Sequence, residues 1–378
     1  MTPARIVHVD PERGFAGGET QVLALARHLR ERGHWQTIAA DPGGLLAARA
    51  READLTTAAL ACRTSLDPRA GLALRRTVRE AGADIVHLHT GRALTLAPYL
   101  PRSLIRVVTR RMDYPPRGAT LYVRWLYRQV DAVIAISAAV RAALISRGVP
   151  GARIEIVPSG VDVARFATCD RVRAREQLGI TPQAQVIALV GVLVERKGQA
   201  VLLEAVSRIA PNVPHLVCLL AGAGPDGDRL MALAERLGLG DRVRFLGRVD
   251  DVVPVLAAAD LVAAPSLAEG LGVAVIEAMA AGRAVVASAV GGIPESLRDG
   301  VEGVLVPPGD APALASAIGR CLADAGLRAR LGAAGQARAA QFSTLAMASG
   351  TESIYERARE RHASPVVAGA RARAAGPR

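Results

Sequence analysis

Glu269 and Glu277 stand eight positions apart in the segment Glu269-Gly270-Leu271-Gly272-Val273-Ala274-Val275-Ile276-Glu277-Ala278-Met279-Ala280-Ala281-Gly282. An apolar run, Leu261 to Ala264, precedes the segment and another, Ala284 to Ala287, follows it. The pattern predicts strand, loop, helix and strand, with Gly282 stopping the helix. The first carboxylate then lies in the loop at the strand's C-terminal end. The second lies about one turn into the helix, so both face one ligand. Gly270 and Gly272 remove side chains where backbone N–H groups at the helix start approach an anion. Two acids beside an anion-binding helix end would repel a bare phosphate. They fit an anion that carries hydroxyl-rich sugars on both sides, as a nucleotide-sugar does. The plainer alternative, a surface helix with two solvated acids, is disfavoured by the glycines and the flanking strands.

Cations follow the same logic. Arg196 and Lys197 lie in Gly191-Val192-Leu193-Val194-Glu195-Arg196-Lys197-Gly198, after a strand pattern and before a helix. Two adjacent cations at a strand end suit a diphosphate; a solvated helix start is the bland alternative. Lys197 is the lone lysine among 47 basic residues, so its position in this loop is not casual. Gly17-Gly18-Glu19 opens the first helix after the loop Asp10–Ala16 and lacks the G-x-G-x-x-G spacing of a dinucleotide site. Its glycines either admit a ligand to backbone amides or make an ordinary tight turn. His87 and His89 alternate along a strand and share a face, His89 at the C-terminal end. No third ligand suggests itself, so zinc is a weak reading and a packed or acceptor-facing histidine the stronger one. Asp226-Gly227-Asp228 has a D-x-D form associated with metals, but acids at a helix start are better read as caps. No metal is expected.

These residues need a frame of alternating strands and helices. Strand patterns in the first half are Ile6–Val9, Gln36–Ala40, Ile85–His89, Ile105–Thr109, Val133–Ile136 and Ile154–Val157. In the second half they are Val186–Val190, Leu216–Ala221, Val243–Leu246, Leu261–Ala264, Val285–Ala287 and Val304–Val306. Val22, Leu25, Ala26 and Leu29 form the apolar stripe of a helix ending at Gly33. The alternation predicts an α/β protein of two Rossmann-like, doubly wound parallel-sheet domains. The boundaries expected are a first domain over 1–166, a linker over 167–185 and a second domain over 186–342. A further helix over 343–361, then a disordered tail over 362–378, complete the chain. Asp310 is an expected N-cap.

Composition narrows the partners. Of the net charge of +12, the first 165 residues carry +10, and no nucleic-acid module is recognisable, so no nucleic-acid partner is expected. An anionic acceptor or an anionic membrane leaflet is the better match for the basic surface. No apolar run approaches the ~18 residues of a membrane span, and the N-terminus has no signal-peptide layout. Cys62, Cys169, Cys218 and Cys321 are widely spaced and read as reduced thiols of a cytoplasmic protein. Four of the eleven aromatics, Tyr114, Tyr122, Trp125 and Tyr127, cluster in one segment, where Arg117, Leu121, Arg124 and Arg128 fall on one helical stripe. That is either an interfacial helix on anionic lipid or a core helix with solvated arginines.

Taken together, the Glu269–Gly282 segment, Arg196-Lys197, Gly17-Gly18, the turn Ala221-Gly222-Ala223-Gly224-Pro225, Phe245-Leu246-Gly247-Arg248 and Val290-Gly291-Gly292-Ile293-Pro294-Glu295 resemble the GT4 group of retaining glycosyltransferases. The resemblance covers most of the chain. It implies a GT-B fold, with the two domains facing across a cleft, and a nucleoside-diphosphate sugar as donor substrate without cofactor or metal. By resemblance Glu269 contacts the donor sugar, Glu277 holds the ribose hydroxyls, and Arg196 and Lys197 stabilise the leaving diphosphate. Gly270, Leu271, Gly272, Val273, Gly191, Gly222, Gly247 and Arg248 line the donor, the last two where backbone meets the base. UDP follows from family frequency alone. The resemblance places Gly17 and Gly18 at the cleft, near donor phosphate and acceptor, with His89 a further candidate on that side, and the last helix crosses back onto the first domain. The acceptor expected is a hydroxyl of a cell-envelope glycan or lipid-linked molecule. One departure stands out: Thr109-Arg110-Arg111-Met112-Asp113 puts Arg111 where many relatives have histidine. Arg111 is then a candidate for phosphate or an acidic acceptor, and Asp113 for a sugar hydroxyl. The rivals are a nucleotide-sugar epimerase and a nucleotide-sugar-binding protein without turnover.

Overall fold

The computed structural model describes residues 2–14, 17–116, 118–168 and 170–363. The chain forms two compact units, the first from residues up to Gly160 together with those from Thr344 on, the second over Val161–Ser343. The first contains a seven-stranded parallel sheet: β1 (Arg5–Asp10), β2 (Trp35–Ala40), β3 (Thr56–Ala59), β4 (Ile85–Leu88), β5 (Ile105–Arg110), β6 (Ala132–Ala135) and β7 (Ile154–Ile156), in the order β3-β2-β1-β4-β5-β6-β7. The second contains six parallel strands: β8 (Gln185–Val190), β9 (Leu216–Ala221), β10 (Val243–Gly247), β11 (Leu261–Ala264), β12 (Ala284–Ser288) and β13 (Val304–Val306), in the order β10-β9-β8-β11-β12-β13. Every expected strand is present. β3 adds one: Thr56-Thr57-Ala58-Ala59 is a sheet edge without the apolar run that reveals a central strand.

Each strand order reverses at one place, between β1 and β4 in the first sheet and between β8 and β11 in the second. Loops leaving the C-terminal ends of such a strand pair diverge to opposite faces and leave a crevice, where ligands of open α/β sheets bind. Both crevices are backed by apolar cores. Ile187, Leu189, Leu202, Val206, Leu220, Leu261 and Val286 are packed in the second unit, and Ile6, Leu25, Leu29, Ile85 and Val107 in the first. The expected helix stripe is entirely inside, with Val22, Leu25, Ala26 and Leu29 at most 2% exposed.

The boundaries differ from the sequence reading. The first unit's N-terminal part ends at Gly160, six residues before the expected 166, and 167–185 is not a free linker. Within it the helix Arg171–Gln177 is tied to the second unit. Arg171 and Arg175 donate to the two carboxylate oxygens of Asp260 at 2.5 and 2.9 Å, and Val186 N donates to the same group at 2.7 Å. Polar composition concealed this because the anchor is a buried ion pair, not an apolar stripe. The helix Thr344–Ala363 belongs to the first unit, where Ile354, Tyr355 and Ala358 are fully buried against β1, β4 and β5 residues. Asp310 caps its helix by accepting from Ala313 N at 2.8 Å. The residues after Ala363, Arg117 and Cys169 lie outside those described. Cys62, Cys218 and Cys321 are free and buried, and burial pushes the Cys218 thiol up to about 12.

Candidate active site

In the second unit the loops after β8 and β11 brace one another. Leu267 N donates to the Arg196 carbonyl at 2.8 Å, and Gly198 adopts φ +70 against Pro265, whose carbonyl oxygen would lie 1.8 Å from any Cβ at 198. Glu195–Lys197 forms a single 3₁₀ turn, which aims Lys197 across the crevice. Its ammonium forms an ion pair with Glu269, and the two side chains are 17% and 12% exposed. Ser266 Oγ donates to the same Glu269 oxygen at 3.4 Å. Arg196, half-buried, has no side-chain hydrogen bond or ion pair among the described residues.

The helix Val273–Ala280 starts from Gly272, at φ +83, and no side chain caps it, so its first amides remain donors for an incoming anion. Glu277 sits one turn along. Its side chain is half-buried but walled by protein, and desolvation pushes the carboxyl up to about 7 despite the pull of Arg165 and Lys197. A small recess of about 20 Å³ runs beneath the crevice, lined by Lys197, Ser266, Glu269, Gly272 and Val275. Gly270 and Leu271 are buried and Val273 half-buried at the helix entry. Gly292 N donates to the Glu269 carbonyl at 3.1 Å and Ile293 packs under Gly272, so the Val290–Glu295 segment frames the same loop. The remaining predicted donor residues ring the neighbouring strand ends. Gly222, at φ +153, leaves 1.9 Å between a notional Cβ and the Gly191 carbonyl oxygen, and its N–H donates to Gly247 O at 2.8 Å. Glycine at 222 is therefore demanded by the crossing of two backbones, whatever ligand it meets. Arg248 is exposed. Asp226 does not cap its helix as expected; it pairs with Arg229 at 3.2 Å.

The first crevice is built differently. His8 of β1, registered against His87 of β4, completes a three-histidine set with His89, so the third imidazole that sequence spacing did not suggest is present. Nothing in the sequence links positions 8 and 87 except the parallel pairing of their strands. His8 Nδ1 hydrogen-bonds His89 Nε2 at 2.9 Å and His8 Nε2 meets Gln36 Oε1 at 2.7 Å. His87 bonds the Tyr355 hydroxyl at 2.6 Å and Thr109 Oγ1 at 2.7 Å, while its ring stacks on His89 at 4.0 Å. Burial depresses all three, His8 to about 4 and the other two well below their ordinary value. A metal would have to break the His8–His89 bond and sit beside a cation, because Arg111 Nη1 donates to the His89 carbonyl at 3.2 Å and Nη2 lies 3.5 Å from His89 Nδ1. The set is a neutral, hydrogen-bonded support.

On that support lie Asp10, ending β1 and 1% exposed, and Glu19 in the first turn of the helix Gly17–Glu31, 8% exposed; the sequence reading missed both as site residues. Both are within Coulombic reach of Arg111. Burial, then the Glu19 charge, pushes the Asp10 carboxyl up to about 7. Asp113 is half-buried. A Cβ at Gly17 or Gly18 would meet nothing within 4 Å, and neither has positive φ, so a tight turn does not explain them. The helix Thr120–Tyr127 buries Val123, Leu126 and Tyr127 and exposes Leu121, Arg124 and Trp125; Arg117, expected on the same stripe, lies outside the described residues.

Two parallel-sheet units with ligand crevices at their switch points define a GT-B-type protein, and comparison with known proteins agrees. Residues 15–165 match Glycosyltransferase Family 4 and residues 170–338 match Glycosyl transferases group 1. The chain belongs to the GT4-type group 1 glycosyltransferases. It is 35% identical over 308 residues to a D-inositol 3-phosphate glycosyltransferase of Salinispora tropica, covering 72% of this chain and 64% of the relative. It is 45% identical over 162 residues to one from Mycobacterium sp. (strain KMS), covering 41% and 36%. The chain thus spans between about a third and two thirds of the length of these curated relatives. Anabaena HepE in complex with UDP-glucose superposes with a TM-score of 0.83 at 26% identity, over 93% of this chain and all of HepE. No helix among the described residues is long and apolar enough to cross a membrane.

Proposed function

We propose that the chain transfers a sugar from a nucleoside-diphosphate sugar, a UDP-sugar, to an acceptor hydroxyl with retention of anomeric configuration and without a metal. The observation that carries this is the Lys197–Glu269 ion pair beside the uncapped helix that bears Glu277. A diphosphate entering the crevice takes over Lys197 and the helix amides, and Glu269, released from its ion pair, accepts hydrogen bonds from donor-sugar hydroxyls. Glu277 receives the ribose hydroxyls, and Arg196 supplies the second cation. Charge that develops on the leaving phosphate is thereby met by fixed donors, which is the main requirement for breaking the glycosidic bond. No side chain is placed as a covalent nucleophile, so the leaving phosphate is the base toward the acceptor. UDP and UDP-glucose bound in HepE support the choice of base.

The first crevice, with Gly17, Gly18, His89, Arg111 and Asp113, is assigned to the acceptor, a cell-envelope glycan or lipid-linked molecule. The exposed Leu121 and Trp125 flanked by Arg124 and Arg128 favour peripheral contact with an anionic leaflet of the cytoplasmic membrane. Calorimetric titration of UDP, GDP and ADP without added metal, into wild type, Glu277→Ala and Lys197→Ala, tests the donor assignment. One nucleotide should bind and both variants should lose it. Equal binding by the variants, or no binding at all, would refute it.

A further inference from the structure

We infer that Asp10, Glu19 and Arg111 form a clamp for the hydroxyls of an uncharged polyol or sugar ring, and that this clamp rejects a phosphorylated group at that point of the acceptor. The inference rests on the acceptor reading of the first crevice and adds the class of group it takes.

Position comes first. Asp10 ends β1, His89 follows β4 and Arg111 follows β5, so the three meet at the place where the sheet order reverses. Glu19 enters from the opening turn of the helix Gly17–Glu31, directly after two glycines over which the space is open. Charge comes second. Arg111 is the cation that the sequence offers to an anionic acceptor, but two nearly buried carboxylates share its field. A phosphate approaching Arg111 would meet both acids in a site with little water to screen them.

A neutral diol meets no such barrier. Each hydroxyl both donates and accepts, so a carboxylate beside a guanidinium satisfies adjacent hydroxyls with one acceptor and one donor. Arg111 is also held from behind, by the His89 carbonyl and ring. The histidine set is thus a positioning support: it fixes the fork, and being neutral it adds no charge to attract an anion. The protonatable state of Asp10 fits the same role, because a carboxyl near neutrality can donate or accept to a hydroxyl.

The chain of residues 1–378, with and without saturating UDP, tests this by saturation-transfer NMR with three probes: myo-inositol, methyl α-D-glucopyranoside and D-inositol 3-phosphate. At least one neutral probe should bind, and Asp10→Asn and Arg111→Ala should each weaken it ten-fold or more with UDP affinity unchanged. D-inositol 3-phosphate should not compete in wild type. It should begin to compete in the Asp10→Asn/Glu19→Gln double variant, a gain that a merely structural role of the two acids would not give. Failure of every neutral probe to bind overturns the inference. So does preferential binding of the phosphorylated probe that Arg111→Ala abolishes. Loss of UDP binding in wild type strikes the donor reading instead, and the UDP-free titration still decides this one.

Discussion

The two switch points are the same piece of topology used for opposite electrostatic purposes. Between β8 and β11 Lys197 is paired with Glu269, Arg196 has no ion pair among the described residues, and Lys197 and Glu269 both remain within reach of solvent. Between β1 and β4 an arginine is set among two nearly buried acids and supported by three neutral imidazoles. Where an anion must enter, the cation is kept accessible and its partner exchangeable. Where the charges already cancel, an anion gains nothing. The glycines divide in the same way: Gly198 and Gly222 of the second crevice are required by crossing backbones, whereas a Cβ at Gly17 or Gly18 of the first would meet nothing within 4 Å.

The sharpest way to break that contrast is a single methyl group. Gly198→Ala would put Cβ 1.8 Å from the Pro265 carbonyl oxygen at a φ of +70, so the loops after β8 and β11 must separate. A loss of about 3 kcal/mol or more is expected in chemical denaturation, from overlap and from left-handed strain together. Gly17→Ala and Gly18→Ala should stay within about 0.5 kcal/mol of wild type, since neither packing nor φ requires glycine there. Equal losses at 17 and 198 would show that the first loop is packed as tightly as the second.

pH gives the next largest effect. Burial holds the Glu277 carboxyl at about 7, above its ordinary 4.5. The folded protein therefore binds a proton between those limits that the unfolded chain does not. The resulting penalty on stability is absent below about pH 4.5 and complete above about pH 7, so stability falls as pH rises through that window. Ligand binding runs the other way. Ribose hydroxyls donate to the ionised carboxylate, so UDP affinity should drop about ten-fold from pH 8 to pH 6. Comparison with Glu277→Gln removes the titration of UDP itself: that variant should bind more weakly and lose the extra pH slope. An unchanged slope would take Glu277 out of the ribose contact.

Legibility followed range. The second crevice was readable because its parts are local: Glu269 and Glu277 share one loop and helix, and Arg196-Lys197 one turn. Strand patterns gave both sheets, since central parallel strands are continuous apolar runs. What escaped depends on register across the sheet. His8 and His87 are 79 positions apart and become neighbours only by the pairing of β1 with β4. Asp10 and Glu19 look like ordinary loop and helix-start acids until burial sets them beside Arg111. The anchoring of 167–185 likewise hides in Asp260, whose partners Arg171 and Arg175 are remote in sequence.

The smallest expected effect isolates the support beneath the first crevice. Tyr355 is fully buried, and burial holds its phenol well above its ordinary value, so it keeps its proton. Its hydroxyl meets His87 Nδ1 at 2.6 Å. Donating that proton makes Nδ1 the acceptor and leaves the Nε2 proton of a neutral His87 to donate to Thr109 Oγ1, at 2.7 Å. Tyr355→Phe removes one hydrogen bond and strands one buried ring nitrogen, a loss of about 1–2 kcal/mol. Thr109→Val should cost a similar amount by stranding the other nitrogen. Because both residues belong to the first unit, calorimetric UDP affinity should be the same in each variant as in wild type. A changed UDP affinity would mean that the histidine support serves the donor crevice too, and the division of labour between the two switch points would fall.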